Sequence, residues 1–430
     1  MKLEYMTDRQ NTQTDSRFYR SGSIFIALSF LSALFELGFN GIAARLPEGG
    51  YGVYNTLNNL FFMMSVPLMG IQLMLSKEVS GYNALSEPGK ARSIVERSLV
   101  MIILIGLVLM IAGIIASPFF ARYLMLDSVV PVVLIMIIIG THTPIPVLLG
   151  TIQGTKRFMA LGIVALVWGI VRFGYAALTV WGFNLGLNGL LVGFIAAVFT
   201  TMLAAIIPVR SLFKVRRVSI SSGDMRHAFS IIIPIAVSFF CVTLLRTVDM
   251  VFARRFFDPA IVNAYGCAVR VGMGFFTLSG IFLVMSPLVS EEKSLSRNPV
   301  HYLFKSIAFT TALSCGGIAV AWFMPGLVMR IITLGTVIPD AEPLIRIVGI
   351  VIVPVSLTYI MANYFLAQHR WGFILPLIAG TILQIFLIQF QHDTPIRLMS
   401  SVGIANYITL ILMGTYLLYE QRRYHGNPGR

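Results

Sequence analysis

Charge is scarce in this chain. Only 12% of its 430 residues are Asp, Glu, Lys or Arg, against about 25% in soluble globular proteins. With 57% of residues apolar, an ordinary soluble domain is excluded. Acid is the scarcer sign, with 18 Asp and Glu against 32 Lys and Arg and a net charge of +14. A basic excess suits nucleic acid as well as membrane-flanking loops. Here the basic residues collect in loops on one side, so no nucleic-acid partner is expected. Cysteine is rare too: Cys241, Cys267 and Cys315 each lie in an apolar run. They read as small packed hydrophobes, and no disulfide framework or redox compartment follows from them. No Walker A phosphate loop occurs, which removes direct use of ATP. No cluster has metal-ligand spacing, so neither metal nor other cofactor is expected. The first 20 residues are polar, without the apolar core of a cleavable signal peptide. No loop expected on the outer side exceeds about 16 residues, too little for the active site of a membrane polymerase, ligase or glycosyltransferase. A catalytic residue is accordingly not assigned.

What stands in place of charge is apolar length. About 20 residues at 1.5 Å each cross a hydrocarbon core of roughly 30 Å, and helices satisfy their own backbone there. Twelve such spans are expected near 20–45, 51–76, 92–117, 128–152, 158–182, 186–209, 227–253, 262–288, 301–325, 341–367, 372–391 and 398–419. With the N-terminus inside, the inner loops and tails hold 22 of the 32 Lys and Arg, and the outer loops seven. That bias places both termini in the cytoplasm of a multi-pass protein of the inner (plasma) membrane. Three arginines remain within spans: Arg172, Arg246 and Arg270.

The chain reads as two copies of one plan. ARLPEGGYGVYNTL follows the first span and RRFFDPAIVNAYGCAVRV follows the seventh, each an acid-and-proline turn before a Tyr-Gly that opens a helix. Tyr51 and Tyr265 are 214 residues apart, while Gln153 and Gln368, and Phe158 and Phe373, are 215 apart. Six spans per copy make a parallel repeat about an axis along the membrane normal. The expected organisation is a tail (1–19), a six-helix lobe (20–209), a basic linker (210–226), a second six-helix lobe (227–419) and a tail (420–430). The fold class is thus an all-α integral membrane protein of about twelve helices in two lobes.

The layout and the segment ARLPEGGYGVYNTL resemble the oligosaccharide (Wzx-type) flippases of the multidrug/oligosaccharidyl-lipid/polysaccharide exporter superfamily. Members often carry an R-L-x-P-E-x-Y-G-like turn after the first span and an Asp late in the seventh, here Asp249. The resemblance implies a MATE-like fold and movement of a polyprenyl-diphosphate-linked oligosaccharide to the outer leaflet by alternating access. It also implies membrane lipids, polysaccharide polymerase and glycosyltransferases as partners. Two other readings stay open: a MATE-like drug/cation antiporter, and a membrane polymerase or ligase. An antiporter calls for an acidic cavity, whereas intramembrane arginines here outnumber acids three to two.

Ionisable groups inside spans tend to face a bundle interior or a watery cavity. Ser29, Ser32, Glu36 and Asn40 share one face of the first span, Asn55 and Asn58 one face of the second, and Thr243, Arg246 and Asp249 one face of the seventh. Arg270 stands between Gly266 and Gly274 in the eighth. Guanidinium forks bidentately onto phosphate oxygens, and Asn and Thr suit sugar hydroxyls. The candidate substrate-binding residues are therefore Arg246, Arg270, Arg172, Asn55, Asn58, Asn40 and Thr243, with Asp249 and Glu36 as coupling or counter-ion groups. Each also has a plainer role open to it. Arg246 and Asp249 are spaced to neutralise each other, Arg172 to meet a carbonyl or a neighbouring helix, Glu36 to form a buried ion pair, and Asn55 and Asn58 to glue helices. His142 lies just before Pro144 and Pro146, which free backbone groups for it. Arg45, Arg254 and Arg255 stand at outer helix ends, where snorkelling to the interface is expected.

Overall fold

The computed structural model describes residues 24–25, 27–47, 49–220, 222–277, 300–368 and 370–426. The two tails, the loop after the eighth span and the last part of that span lie largely outside these residues. Described regular structure is helical throughout: α1 (Ala27–Ala43), α2 (Gly50–Ser65), α3 (Met69–Ala84), α4 (Pro88–Ile115), α5 (Ser117–Tyr123), α6 (Val130–His142), α7 (Pro144–Gly154), α8 (Phe158–Ala176), α9 (Gly186–Val209), α10 (Ser222–Phe256), α11 (Pro259–Thr277), α12 (Val300–Phe323), α13 (Pro325–Ile332), α14 (Ala341–Ala367), α15 (Ile374–Phe390) and α16 (Pro395–Gly426). The chain is a multi-pass, all-α membrane protein. Among the described residues nine helical stretches are long and apolar enough to span, with α1 and α15 shorter apolar helices. The span expected near 262–288 is described from Pro259 to Thr277.

Proline sets many of the boundaries. It stands at the first or second position of α4, α6, α7 and α13, where its missing N–H and fixed φ suit a first turn. The second expected span is broken at Pro67 by a short 3-10 turn, Val66–Leu68, that separates α2 from α3. Pro354 is instead carried inside α14.

Two compact units form. One comprises Met1–Ile42, Leu68–Pro118 and Val129–Ile232; the other comprises Ala43–Pro67, Phe119–Ser128 and Ile233–Arg430. In the first, α8 packs on α9, α3 on α7 and α4 on α6. Behind α3 and α4 an apolar cluster is built on Ile71, Leu75, Val79, Ile94 and Val95.

In the second, α14 is central, packing on α11, α12 and α16. The turns that mark the repeat meet there. Gly49 has φ +77°, and a Cβ on it would stand 2.6 Å from Pro259. Gly52 brings α2 against α11, where a Cβ would stand 2.6 Å from the Val262 side chain and 3.0 Å from its carbonyl carbon. The Gly52 N–H donates to Asn263 Oδ1 at 2.7 Å. Only glycine allows both the left-handed turn and the close approach.

One of the outer arginines differs from expectation. Arg254 does not snorkel: it is buried, and its guanidinium donates to the carbonyls of Leu124 (2.9 Å) and Met125 (2.8 Å). Arg45 donates to the Leu334 carbonyl at 3.1 Å, and Arg255 lies over the Tyr123 ring at 5.6 Å. Carbonyls left over by helix ends accept from Arg254 and Arg45. Cys315 is a second correction. Cys241 and Cys267 are buried, but Cys315 is exposed on α12.

Candidate functional site

The second unit holds the densest polar cluster of the expected residues. Tyr54, Asn55 and Asn58 sit within about one turn of α2, and helical pitch directs Tyr54 and Asn58 to the same side. The Tyr54 hydroxyl and Asn58 Oδ1 are 3.4 Å apart. Arg270 comes from α11. Its Nε donates to Asn55 Oδ1 at 2.7 Å and its Nη2 to the Tyr54 hydroxyl at 2.9 Å, with the guanidinium carbon 5.2 Å from the Tyr54 ring centre. Asn55 is almost fully buried, and its Nδ2 has no acceptor among the described residues.

Arg246 enters from α10. Its guanidinium lies 4.3 Å from the Phe276 ring centre and 5.9 Å from that of Phe62. Arg270 and Tyr359 are within electrostatic range of it. The Arg246 Nε is buried without an acceptor. Among the described residues neither Arg246 nor Arg270 has a carboxylate partner.

Pairing of Arg246 with Asp249 is therefore corrected. The Asp249 carboxylate accepts from the Tyr265 hydroxyl at 2.7 Å, and no ion pair joins it to Arg246. Spacing brought the two to one helix face, but Tyr265 on α11 claims the acid, and aromatic rings hold the cation at cation–π distance. Asp249→Asn keeps an acceptor for Tyr265 and removes a buried charge, so the melting temperature in detergent is expected to stay close to the parent's. Tyr265→Phe strands the carboxylate and is expected to cost about 1–3 kcal/mol, read as a clear fall in the same melt. An equal response of the two variants would show that the hydroxyl does not support the acid. Thr243 is buried, and its hydroxyl donates to the Phe239 carbonyl of its own helix at 2.7 Å.

The first unit gathers the other candidates. Arg172 on α8 forms an ion pair with Glu36 on α1, Nη1 to Oε2 at 2.7 Å. Its guanidinium carbon lies 4.1 Å from the ring centres of both Phe39 and Phe194, and 5.5 Å from that of Trp168. Asn40 is buried one turn beyond Glu36. Trp168 also meets the His142 ring edge-on, with centres 6.1 Å apart. A cavity of about 330 Å³ opens beside this pair, with Ser29, Gln72 and Thr201 on its otherwise mainly apolar wall.

Tyr54, Phe276 and Trp168 are not among the residues that spacing singles out, and Tyr265 is not singled out for this role. Tyr54 was within reach, since it adjoins Asn55 and lies four residues before Asn58. Tyr265 was noticed only as a mark of the repeat. Nothing local signals that it faces an acid 16 positions earlier.

A family model described as polysaccharide biosynthesis protein matches residues 18–290. No curated protein matches the sequence. Among solved structures, an inward-facing multidrug resistance MATE family transporter of the MOP superfamily is similar over 94% of this chain and 98% of its own, with a TM-score of 0.72 and 14% identity. The eukaryotic MATE transporter AtDTX14 is similar over 93% and 96%, with a TM-score of 0.66 and 13% identity. A MOP superfamily transporter from Pyrococcus furiosus, whose binding pocket is described as of reverse polarity, is similar over 94% and 95%, with a TM-score of 0.62 and 12% identity. The chain has the MATE-like fold.

Proposed function

The chain belongs to the polysaccharide biosynthesis protein family, and from that premise we propose that it is a flippase, carrying a polyprenyl-diphosphate-linked oligosaccharide from the cytoplasmic to the outer leaflet. Family and fold are those of transporters. The observation that supports this substrate is the surplus of donors around Arg246 and Arg270. Two guanidinium groups and the Asn55 amide gather in one unit with no acid among the described residues neutralising either arginine, and the nearest acid on α10 is engaged by Tyr265. A ligand rich in acceptors and carrying negative charge completes such a set, and a diphosphate offers both. A drug cation meets the opposite sign there. The head group takes the polar path while the isoprenoid tail stays in lipid, because sugar hydroxyls without partners cost about 2–7 kcal/mol each in hydrocarbon.

In this reading the protein sits in the inner membrane with both termini in the cytoplasm. The halves 20–209 and 227–419 alternate access to the two sides, and polymerase and glycosyltransferases consume and supply the lipid-linked sugar. An inside-negative potential favours export of an anion by about 2.3 kcal/mol per charge per 100 mV, so two diphosphate charges gain roughly 4–5 kcal/mol. The test is reconstitution in vesicles with a fluorescent polyprenyl-diphosphate oligosaccharide. Flipping is expected to require the protein and to accelerate with the potential. Uptake of a cationic dye driven by a proton gradient, with the diphosphate lipid left in place, would establish the antiporter reading instead.

A further inference from the structure

The start of the linker is not loose. The Arg92 guanidinium donates to the Val215 carbonyl at 2.6 Å, the Ser93 hydroxyl to the Val218 carbonyl at 2.5 Å, and the Val218 N–H to the Gly89 carbonyl at 3.3 Å. These contacts hold the linker across the first turns of α4 and bring Arg217 beside Glu96, at 3.7 Å. Glu96 is already taken by Arg92, at 2.6 Å. Arg97, one residue on, is partly buried and forms no ion pair or hydrogen bond among the described residues.

Between Arg97 and Arg217 opens a groove of about 650 Å³ whose wall continues onto Val100, Met101 and Leu104. From there an exposed apolar stripe runs on through Val108 and Ile111 to Ile115. Spacings of three and four residues keep it on one face of α4, and α4 is the most apolar of the spans. The groove therefore has one cationic end and one long apolar end, both within the first unit.

We propose that this groove binds an anionic glycerophospholipid, its phosphate held between Arg97 and Arg217 and an acyl chain laid along the stripe of α4. The occupant has to be an amphiphile, because a soluble anion leaves the stripe uncovered. It has to carry net negative charge, because the one acid at the rim, Glu96, is shared by Arg92 and Arg217 and leaves the three arginines there with excess positive charge. The site joins a residue of the linker to a residue of α4, so a bound lipid fastens the linker to the first unit. It is separate from the cluster around Arg246 and Arg270 and does not depend on which substrate that cluster takes.

The experiment is native mass spectrometry and thermal melting of the delipidated full-length protein, titrated with phosphatidylglycerol, with phosphatidylcholine of the same chains, and with inorganic phosphate. Saturable retention of phosphatidylglycerol and a raised melting temperature are expected, with little effect of the other two. Arg97→Gln/Arg217→Gln is expected to weaken the phosphatidylglycerol response about tenfold or more, the size of one lost charge-assisted contact. The single variant Arg97→Gln removes no ion pair or hydrogen bond among the described residues and serves if the double variant melts early; Arg97→Lys is expected to keep most of the response. Equal retention of phosphatidylcholine would show non-specific lipid and overturn the proposal. So would unchanged binding in Arg97→Gln and in the double variant, or stabilisation by phosphate alone equal to that by the lipid.

Discussion

Arg270→Ala is expected to slow flipping of a diphosphate-linked substrate by about 10- to 150-fold, the effect of losing one charge-assisted contact of about 1.5–3 kcal/mol. The guanidinium does two things at once. Its Nε and Nη2 hold Asn55 and Tyr54, and its charge adds to that of Arg246 in the same unit. Arg270→Lys keeps the charge but cannot hold both partners from a planar fork, so partial recovery is expected. The readout is the initial rate per folded protein, with melting temperature measured alongside, since Asn55 Oδ1 is left buried without its donor. A stable Arg270→Ala protein that flips at the parent rate would remove this residue from the site. A Lys variant that restores melting but not transport would separate substrate contact from support of α2.

Arg172→Ala is expected to act on folding more than on transport. The guanidinium is almost entirely buried, ion-paired to Glu36 and enclosed by Phe39 and Phe194. Removing one partner of a buried pair leaves the other charge uncompensated, at about 3–5 kcal/mol. Glu36 keeps a third of its side-chain surface exposed, which lowers that cost, so the bottom of the range is expected. The variant should reach lower levels in the membrane and melt earlier. Glu36→Gln with Arg172→Met should recover much of the loss, because neither charge is then stranded and the methionine fills the aromatic enclosure. Recovery of melting together with transport would make the pair structural. Recovery of melting with transport abolished would return Glu36 or Arg172 to the mechanism.

Helix positions were legible because lipid admits little else. The spans expected over 186–209 and 341–367 are Gly186–Val209 and Ala341–Ala367. Helical faces were legible as well, which is why Asn55 and Asn58, or Arg246 and Asp249, could be grouped. What opposes a face was not. The acceptor of Arg270 lies 215 residues away, and periodicity carries no information about it. Arg246 and Asp249 show the limit from the other side: correct spacing suggested a pair that Tyr265 and Phe276 take apart. Cys315 shows another. An apolar neighbourhood means interior in water, but lipid is as apolar as a core, so a thiol among hydrophobes can equally face outward.

The early half of α2 belongs with partners that are synthesised much later. Asn55 waits for Arg270 and Gly52 for Asn263, over separations of 215 and 211 residues. At about 5–20 residues per second, roughly 200 residues take about 10–40 s to make. For that interval a helix bearing Asn55, Asn58 and Asn59 stands in the membrane before the chain that receives it exists. The second span thus sets a clock on biogenesis. Release of a chain truncated before α11 leaves Asn55 without Arg270 and the Gly52 N–H without Asn263, so such a chain presents unpaired polar groups on α2.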